Sequence, residues 1–256
     1  MDSLIFCNRE SSNTLFLKQW KEHRLTQVTT NGRLVTKYTT RENIMNIAII
    51  GAGGKAGRLI AQEALTRGHK VTAVVRHAEK VADLPVEVLE KSVFDITAED
   101  LKPFDAVIDA FNAPAGHEEQ HQTSLAHLAD LLAGRPQTRL LIVGGAGSLY
   151  VDDALSVRVM DTPDFPEAYR PTASNMGEAF LKLKGRQDVN WTYFSPAAMF
   201  IADGKRTGSY TVGGDRLLVN GQGESVISYA DYAIAMVDEL EQGKRQRQRF
   251  TAVSNG

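Results

Sequence analysis

Two short stretches of this chain hold residue types at spacings that can do chemistry. His117-Glu118-Glu119-Gln120-His121 matches the H-E-x-x-H pattern, in which two imidazoles one helical turn apart bind zinc and the glutamate acts as a base. Gly51, Gly54 and Gly57, three apart in "IIGAGGKAGRLI", offer something different. Glycines so spaced make a tight turn, clear Cβ atoms from the path of phosphate oxygens, and lead into helix N–H groups aimed at negative charge. Which stretch is a working site depends on the elements that carry them.

Those elements read as one α/β domain. "NIAII" (46–50) is a short apolar run; the glycines follow, then a helix with Ala56, Leu59, Ile60, Glu63 and Ala64 at helical spacing, ending at Gly68. "KVTAVVR", "VEVLE", "DAVIDAF", "RLLIVGG" and "VNWTYFS" supply five more strands. "SYADYAIAMVDELEQG" is a helix opened by Ser228, with Asp231 three residues on, and closed at Gly243. Alternation of this kind implies a Rossmann-like, doubly wound parallel sheet covered on both faces, a single domain over residues 45–256. "GSYTVGGDRLLVNGQGESVIS" alternates and turns at Gly213-Gly214-Asp215, predicting a small β excursion near the C-terminus. Residues 1–44 are Thr-rich, without sustained period and mildly basic, and read as a poorly ordered extension with Met45 as the natural beginning of the domain.

Composition narrows the function classes. With 256 residues and 43% hydrophobic content the chain can bury a sizeable core. No run approaches the ~18 apolar residues of a membrane helix, so a cytoplasmic protein without a membrane partner is expected. Cys7 is the only cysteine, which excludes an intrachain disulfide or thiolate zinc cluster. A net charge of -2 makes no electrostatic case for nucleic acid, and "KRQRQRF" (244–250) reads as a solvated edge strand carrying Arg245, Arg247 and Arg249. Oligomeric state stays open.

Placed in this frame, the HEEQH stretch occupies the first turns of the helix after the fourth strand. Zinc would need a third protein ligand, and no second ligand helix follows, so no metal is expected. His117 or His121 instead borders a substrate pocket, with His121 a proton donor to a reduced product. The glycine turn lies between first strand and first helix, where Gly51, Gly54, Lys55, Ala56 and Gly57 would hold a dinucleotide pyrophosphate. NAD sites place Asp or Glu at the end of the second strand; here the strand ends in Arg76, which favours the 2′-phosphate of NADP(H) over NAD(H), with Lys55 in support.

At these residues the chain resembles the atypical short-chain dehydrogenase/reductase-like NAD(P)H-binding proteins described as NADH-flavin reductases. "IIGAGGKAG", "VTAVVR", "DAVIDAFNAP", "LIVGGAGSL", "WTYFSPAAMF" and "GESVISYADYAIAMVDELE" carry the resemblance, in consistent order from Met45 to about Val253. Biliverdin-IXβ/flavin reductases and nitrogen-metabolite-repressor redox sensors share the architecture. The resemblance implies that Phe111, Asn112, Ala113 and Pro114 lie along the cofactor, that Gly144, Gly145 and Ser148 approach the nicotinamide ribose, and that Pro196 to Phe200 border its carboxamide. Two departures stand out. The Tyr-x-x-x-Lys pair is absent, since Tyr169 is followed at +4 by Ala173 and Tyr193 by Ala197, and Ser92 stands where an adenine-contacting Asp is often found.

Without that pair, hydride transfer to a planar acceptor remains feasible, because flavin N5 takes hydride directly from nicotinamide and the protein need only stack the rings and exclude water. The expected activity is therefore NADPH-dependent reduction of a flavin, quinone or similar planar acceptor, flavin being substrate rather than resident cofactor. Phe111, Met199 and Phe200 would wall the acceptor; Ser148, then Tyr169, are the polar groups expected near the hydride. The alternative is a non-catalytic NADP(H)-sensing regulator. An epimerase or dehydratase is disfavoured by the missing pair and by Arg76.

Overall fold

The computed structural model describes the backbone of residues 23–30 and 33–40 and the whole of residues 44–255. The chain divides into two units, Met1–Asn43 and Ile44–Gly256. Much of the predicted extension lies outside the described residues. Within it, β1 (His23–Thr30) pairs antiparallel with β2 (Arg33–Thr40), His23 opposite Thr40 and Thr30 opposite Arg33. No such hairpin is expected from periodicity. Its signals are β-branched content and the Asn31-Gly32 dipeptide, which favours two-residue hairpin turns.

The second unit is the expected Rossmann-like fold. Along the chain come β3 (Asn46–Ile50), α1 (Lys55–Thr66), β4 (Lys70–Val75), β5 (Glu87–Glu90), β6 (Ala106–Asp109), α2 (Gln120–Leu131), β7 (Arg139–Val143), α3 (Arg170–Lys184) and β8 (Asn190–Ser195). The last part contains β9 (Met199–Ile201), β10 (Tyr210–Gly213), β11 (Val226–Ser228), α4 (Tyr229–Gln242) and β12 (Gln248–Ser254). Eight strands form one sheet in the order β10-β12-β8-β7-β6-β3-β4-β5, parallel except for β10. Strand order reverses direction at β3, so the crevice beyond the carboxyl ends of β3 and β6 is where such a sheet takes ligands.

Period-2 alternation decides which side each residue serves. On β3, Ile47 and Ile49 join the core with Ile60 of α1 and Met236 of α4, whereas Ala48 and Ile50 join the opposite core with Leu128 of α2 and Phe180 of α3. Ser228 caps α4, its Oγ accepting from Asp231 N at 3.0 Å, and Gly243 ends the helix at φ +60, as the sequence suggests. Among the described residues no helix is long and apolar enough to cross a membrane.

The C-terminal excursion is split between two sheets. β10 adds to the main sheet antiparallel to β12, while β11 pairs parallel with β9. The chain after Gly213 does not fold back as a hairpin; Tyr150 N donates to Asp215 O at 3.0 Å and Leu217 N to Tyr150 O at 2.9 Å, tying it to the loop after β7. The solvated edge strand predicted for residues 244–250 is also corrected, because β12 has β8 on one side and β10 on the other. Arg249 is buried on it, and Arg245 binds Glu239.

Candidate functional site

The glycine turn begins with a constraint from the neighbouring strand. Gly51 has φ +75, and a Cβ there would sit 2.5 Å from the carbonyl oxygen of Ala110, just beyond β6. A Cβ on Gly57 would meet the Gly51 oxygen at 2.4 Å, so this glycine lets α1 pack onto the turn. Gly54 N donates to Gly51 O at 2.9 Å, and Arg58 N to Gly54 O at 2.9 Å starts the helix. Lys55, Ala56 and Gly57 therefore present first-turn N–H groups with no intrahelical acceptor, and no acidic side chain or cap occupies them. Backbone N–H groups so arranged can hold an anion.

A cleft of about 400 Å³ opens in front of it, lined by Gly51, Gly53 and Gly54 and by the ends of β4, β5 and β6. Arg76, His77, Lys80 and Lys91 line it, and among the described residues no carboxylate does. Arg76 is exposed and forms no ion pair among the described residues. Lys91 is different: it grips both oxygens of Asp100 at 2.7 and 2.9 Å, and that hydrogen bonding, with Thr97, holds the Asp100 carboxyl down at about 2. Ser92 lines the cleft where an acidic residue would otherwise stand, its Oγ accepting from Phe94 N at 3.3 Å. Phe111 and Asn112 close the side toward β6, while Ala113 and Pro114 lie outside the lining. Lys80 and Phe94 escape sequence reading, because only the folded chain brings the segments after β4 and β5 to the turn.

Behind Phe111 lies a second, much smaller cavity, reached by Asp109, His121, Met176 and Tyr193. Phe111 lines both spaces. Asp109, the last residue of β6, is 5% exposed; burial pushes its carboxyl up to about 6, against one hydrogen bond from Phe111 N at 3.0 Å. His121 sits in the first turn of α2, 7% exposed, its ring edge-on to Phe111 at 6.0 Å and its Nε2 without a protein partner. Burial lowers its basicity, and the charge of Glu118 opposes that.

The HEEQH stretch is thereby pulled apart. His117 is exposed in the turn before α2, 3.7 Å from Glu119, while His121 is buried. Neither belongs to the close group of metal-capable side chains among the described residues, His77, Glu79 and Glu90, all exposed.

Other predicted residues fall in separate places. A Cβ on Gly144 would strike the Tyr193 ring at 2.2 Å, so this glycine makes room for Tyr193, and Gly145 faces Met176. Pro196 is buried, its carbonyl accepting from Thr251 Oγ1 at 3.4 Å. Ser148 is buried, and Arg249 Nη1 donates to both its Oγ at 3.0 Å and its carbonyl at 2.9 Å. The same guanidinium binds Asp215 at 2.6 Å and lies 4.5 Å over the Phe180 ring. Ser148 opens on a third cavity of about 270 Å³ with Tyr150 and Arg158, distinct from the glycine cleft. Tyr169 is 67% exposed on a short turn before α3 and lines none of these spaces. Tyr193 is no free phenol: burial raises its hydroxyl to about 12, and it donates to Met176 O at 3.4 Å. Phe200 packs on Tyr229 with centroids 3.8 Å apart, whereas Met199 is exposed.

The NAD(P)H-binding family matches residues 51–242. The uncharacterized protein YwnB of Bacillus subtilis (strain 168) is 55% identical over 210 residues, which are 82% of this chain and 99% of YwnB. A Streptococcus pneumoniae TIGR4 protein described as a candidate NADH-flavin reductase superposes with a TM-score of 0.79 at 44% identity, over 82% of this chain and 99% of its own. A candidate epimerase from Bacteroides thetaiotaomicron superposes with a TM-score of 0.73 at 38% identity, over 84% and 99%. With its glycine turn and cationic cleft in place, the chain belongs to the NAD(P)H-binding family, of the atypical short-chain dehydrogenase/reductase type.

Proposed function

We propose that this protein is an NADPH-dependent reductase of a flavin, quinone or similar planar acceptor, working in the cytoplasm. The observation that carries the reading is the lining of the glycine cleft, which among the described residues offers Arg76, Lys80 and backbone N–H groups and no carboxylate. A carboxylate there would repel a 2′-phosphate and favour the diol of NAD; Arg76, unpaired among the described residues, does the reverse. The first turn of α1 would take the pyrophosphate, beside Gly51 and Gly54, whose backbone lines the cleft. When bound, NADPH supplies a hydride from its nicotinamide. The chain's own contribution is positioning: the loop after β6 sets Phe111 beside the cleft, and a half-buried aromatic ring excludes water from a stacked acceptor.

The deciding experiment is NADPH oxidation by the purified protein with and without excess FMN, corrected for the uncatalysed rate. Saturable, FMN-dependent oxidation is expected. One observation favours a second reading, that of an NADP(H) sensor: no phenol–ammonium pair faces the cleft, since Tyr169 is remote from it and Tyr193 is buried and bonded. NADPH binding without turnover of flavins or quinones would favour the sensor.

A further inference from the structure

The buried polar groups behind Phe111 are unexplained by nucleotide binding. Asp109 carries a carboxyl into an apolar interior with a single protein hydrogen bond and no cation beside it. His121 brings a ring nitrogen, Nε2, that is fully buried and unpartnered. Leaving such an atom unmet is costly, and leaving a carboxylate unpaired is more so. Both groups, from different elements, line the same space, with about 10 Å³ open to the centre of a water molecule. That is room for one water, and the site supplies the polar partners a water needs. Other charges around it are few: Glu118 acts on His121 from the turn before α2, Arg249 acts on Tyr193 from β12, and Tyr193 lines the cavity from β8.

We propose that Asp109 and His121 share one proton through a water bound in this cavity, and that the proton follows the hydride onto the acceptor. The inference rests on the reductase reading above and adds the preferred acceptor class, a quinone or another acceptor whose reduction leaves an oxyanion. Hydride carries two electrons from the nicotinamide C4 of NADPH to the quinone, leaving NADP⁺ and a hydroquinone anion. That anion takes the proton from the shared pair around the edge of Phe111, and solvent refills the pair. Two titrating groups joined through one buried water lose protons as a unit, so disturbing either must move the other.

Asp109→Asn keeps an oxygen to accept from Phe111 N while removing the charge, and serves as the main test. By ¹⁵N NMR of the ring in the full chain, the His121 titration midpoint is expected to move by at least half a pH unit in that variant. Quinone-dependent NADPH oxidation is expected to fall at least five-fold, with KM for NADPH within two-fold and the acid limb of its pH profile displaced. If Asp109→Asn does not fold, His121→Gln with ¹³C observation of the Asp109 carboxyl gives the same information. An unchanged midpoint of the remaining partner overturns the shared proton. Coupled titrations with normal quinone rates in both variants overturn its delivery to the acceptor. Coupled titrations in an unaltered protein that reduces no acceptor overturn the reductase reading while leaving the shared proton supported.

Discussion

The turn between β3 and α1 and the knot around Arg249 both hold loops against the sheet, by opposite means. The turn is local: seven consecutive residues, 51–57, carry its geometry, and its limits are backbone contacts such as the 2.4 Å approach that a Cβ on Gly57 would make. The knot is assembled from distant parts: Arg249 on β12 reaches Ser148 after β7, Asp215 after β10 and the ring of Phe180 on α3. Local geometry leaves a signature in spacing. A site held by one long side chain leaves only a charged residue among others.

The comparison can be broken at either end. Arg249→Ala strands Asp215 and the Ser148 carbonyl and opens a gap under Phe180, so stability should fall by roughly 2–4 kcal/mol, read from urea denaturation. A loss below about 0.5 kcal/mol would place the knot among ordinary surface pairs. Gly51→Ala forces a Cβ against the Ala110 carbonyl at a positive φ, and NADPH affinity should drop about 100-fold, close to 2.7 kcal/mol, by titration calorimetry. Unaltered binding would mean that the turn is not the pyrophosphate cradle. Arg76→Ala should weaken NADPH about ten-fold, near 1.4 kcal/mol, and leave NADH within two-fold; equal losses for both would end the 2′-phosphate assignment.

The smallest effect concerns pH. Asp109 holds its proton more firmly folded than unfolded, so its contribution is complete below the unfolded carboxyl range and is lost as pH rises through about 6. Between pH 5 and pH 7 the unaltered chain should lose roughly 1 kcal/mol that Asp109→Asn does not lose, measured as the difference between their stability curves. Parallel curves would show that the carboxyl is solvated.

What was legible follows the same division. The succession of strands and helices, the capped α4 and the glycine turn come from neighbours in sequence, and periodicity reports them. Lys80 is hidden because the short helix after β4 meets the turn only in space. Arg249 was misread because alternating Arg and Gln look solvated, whereas β10 covers that strand and buries the guanidinium. Asp109 had a signal that went unused: an acidic residue inside the apolar run "DAVIDAF" has to be met by something.

The place of β12 bears on how the molecule is made. β10 ends at Gly213 and its one sheet partner among the described residues begins at Gln248, so a ribosome must add the whole of α4 before that edge can close. Until then β8 offers an unpaired row of amides and carbonyls to any extended chain nearby. The nascent protein thus passes through a vulnerable interval in which the nucleotide turn is already complete, and a holding chaperone or early nucleotide binding would protect it most in that interval.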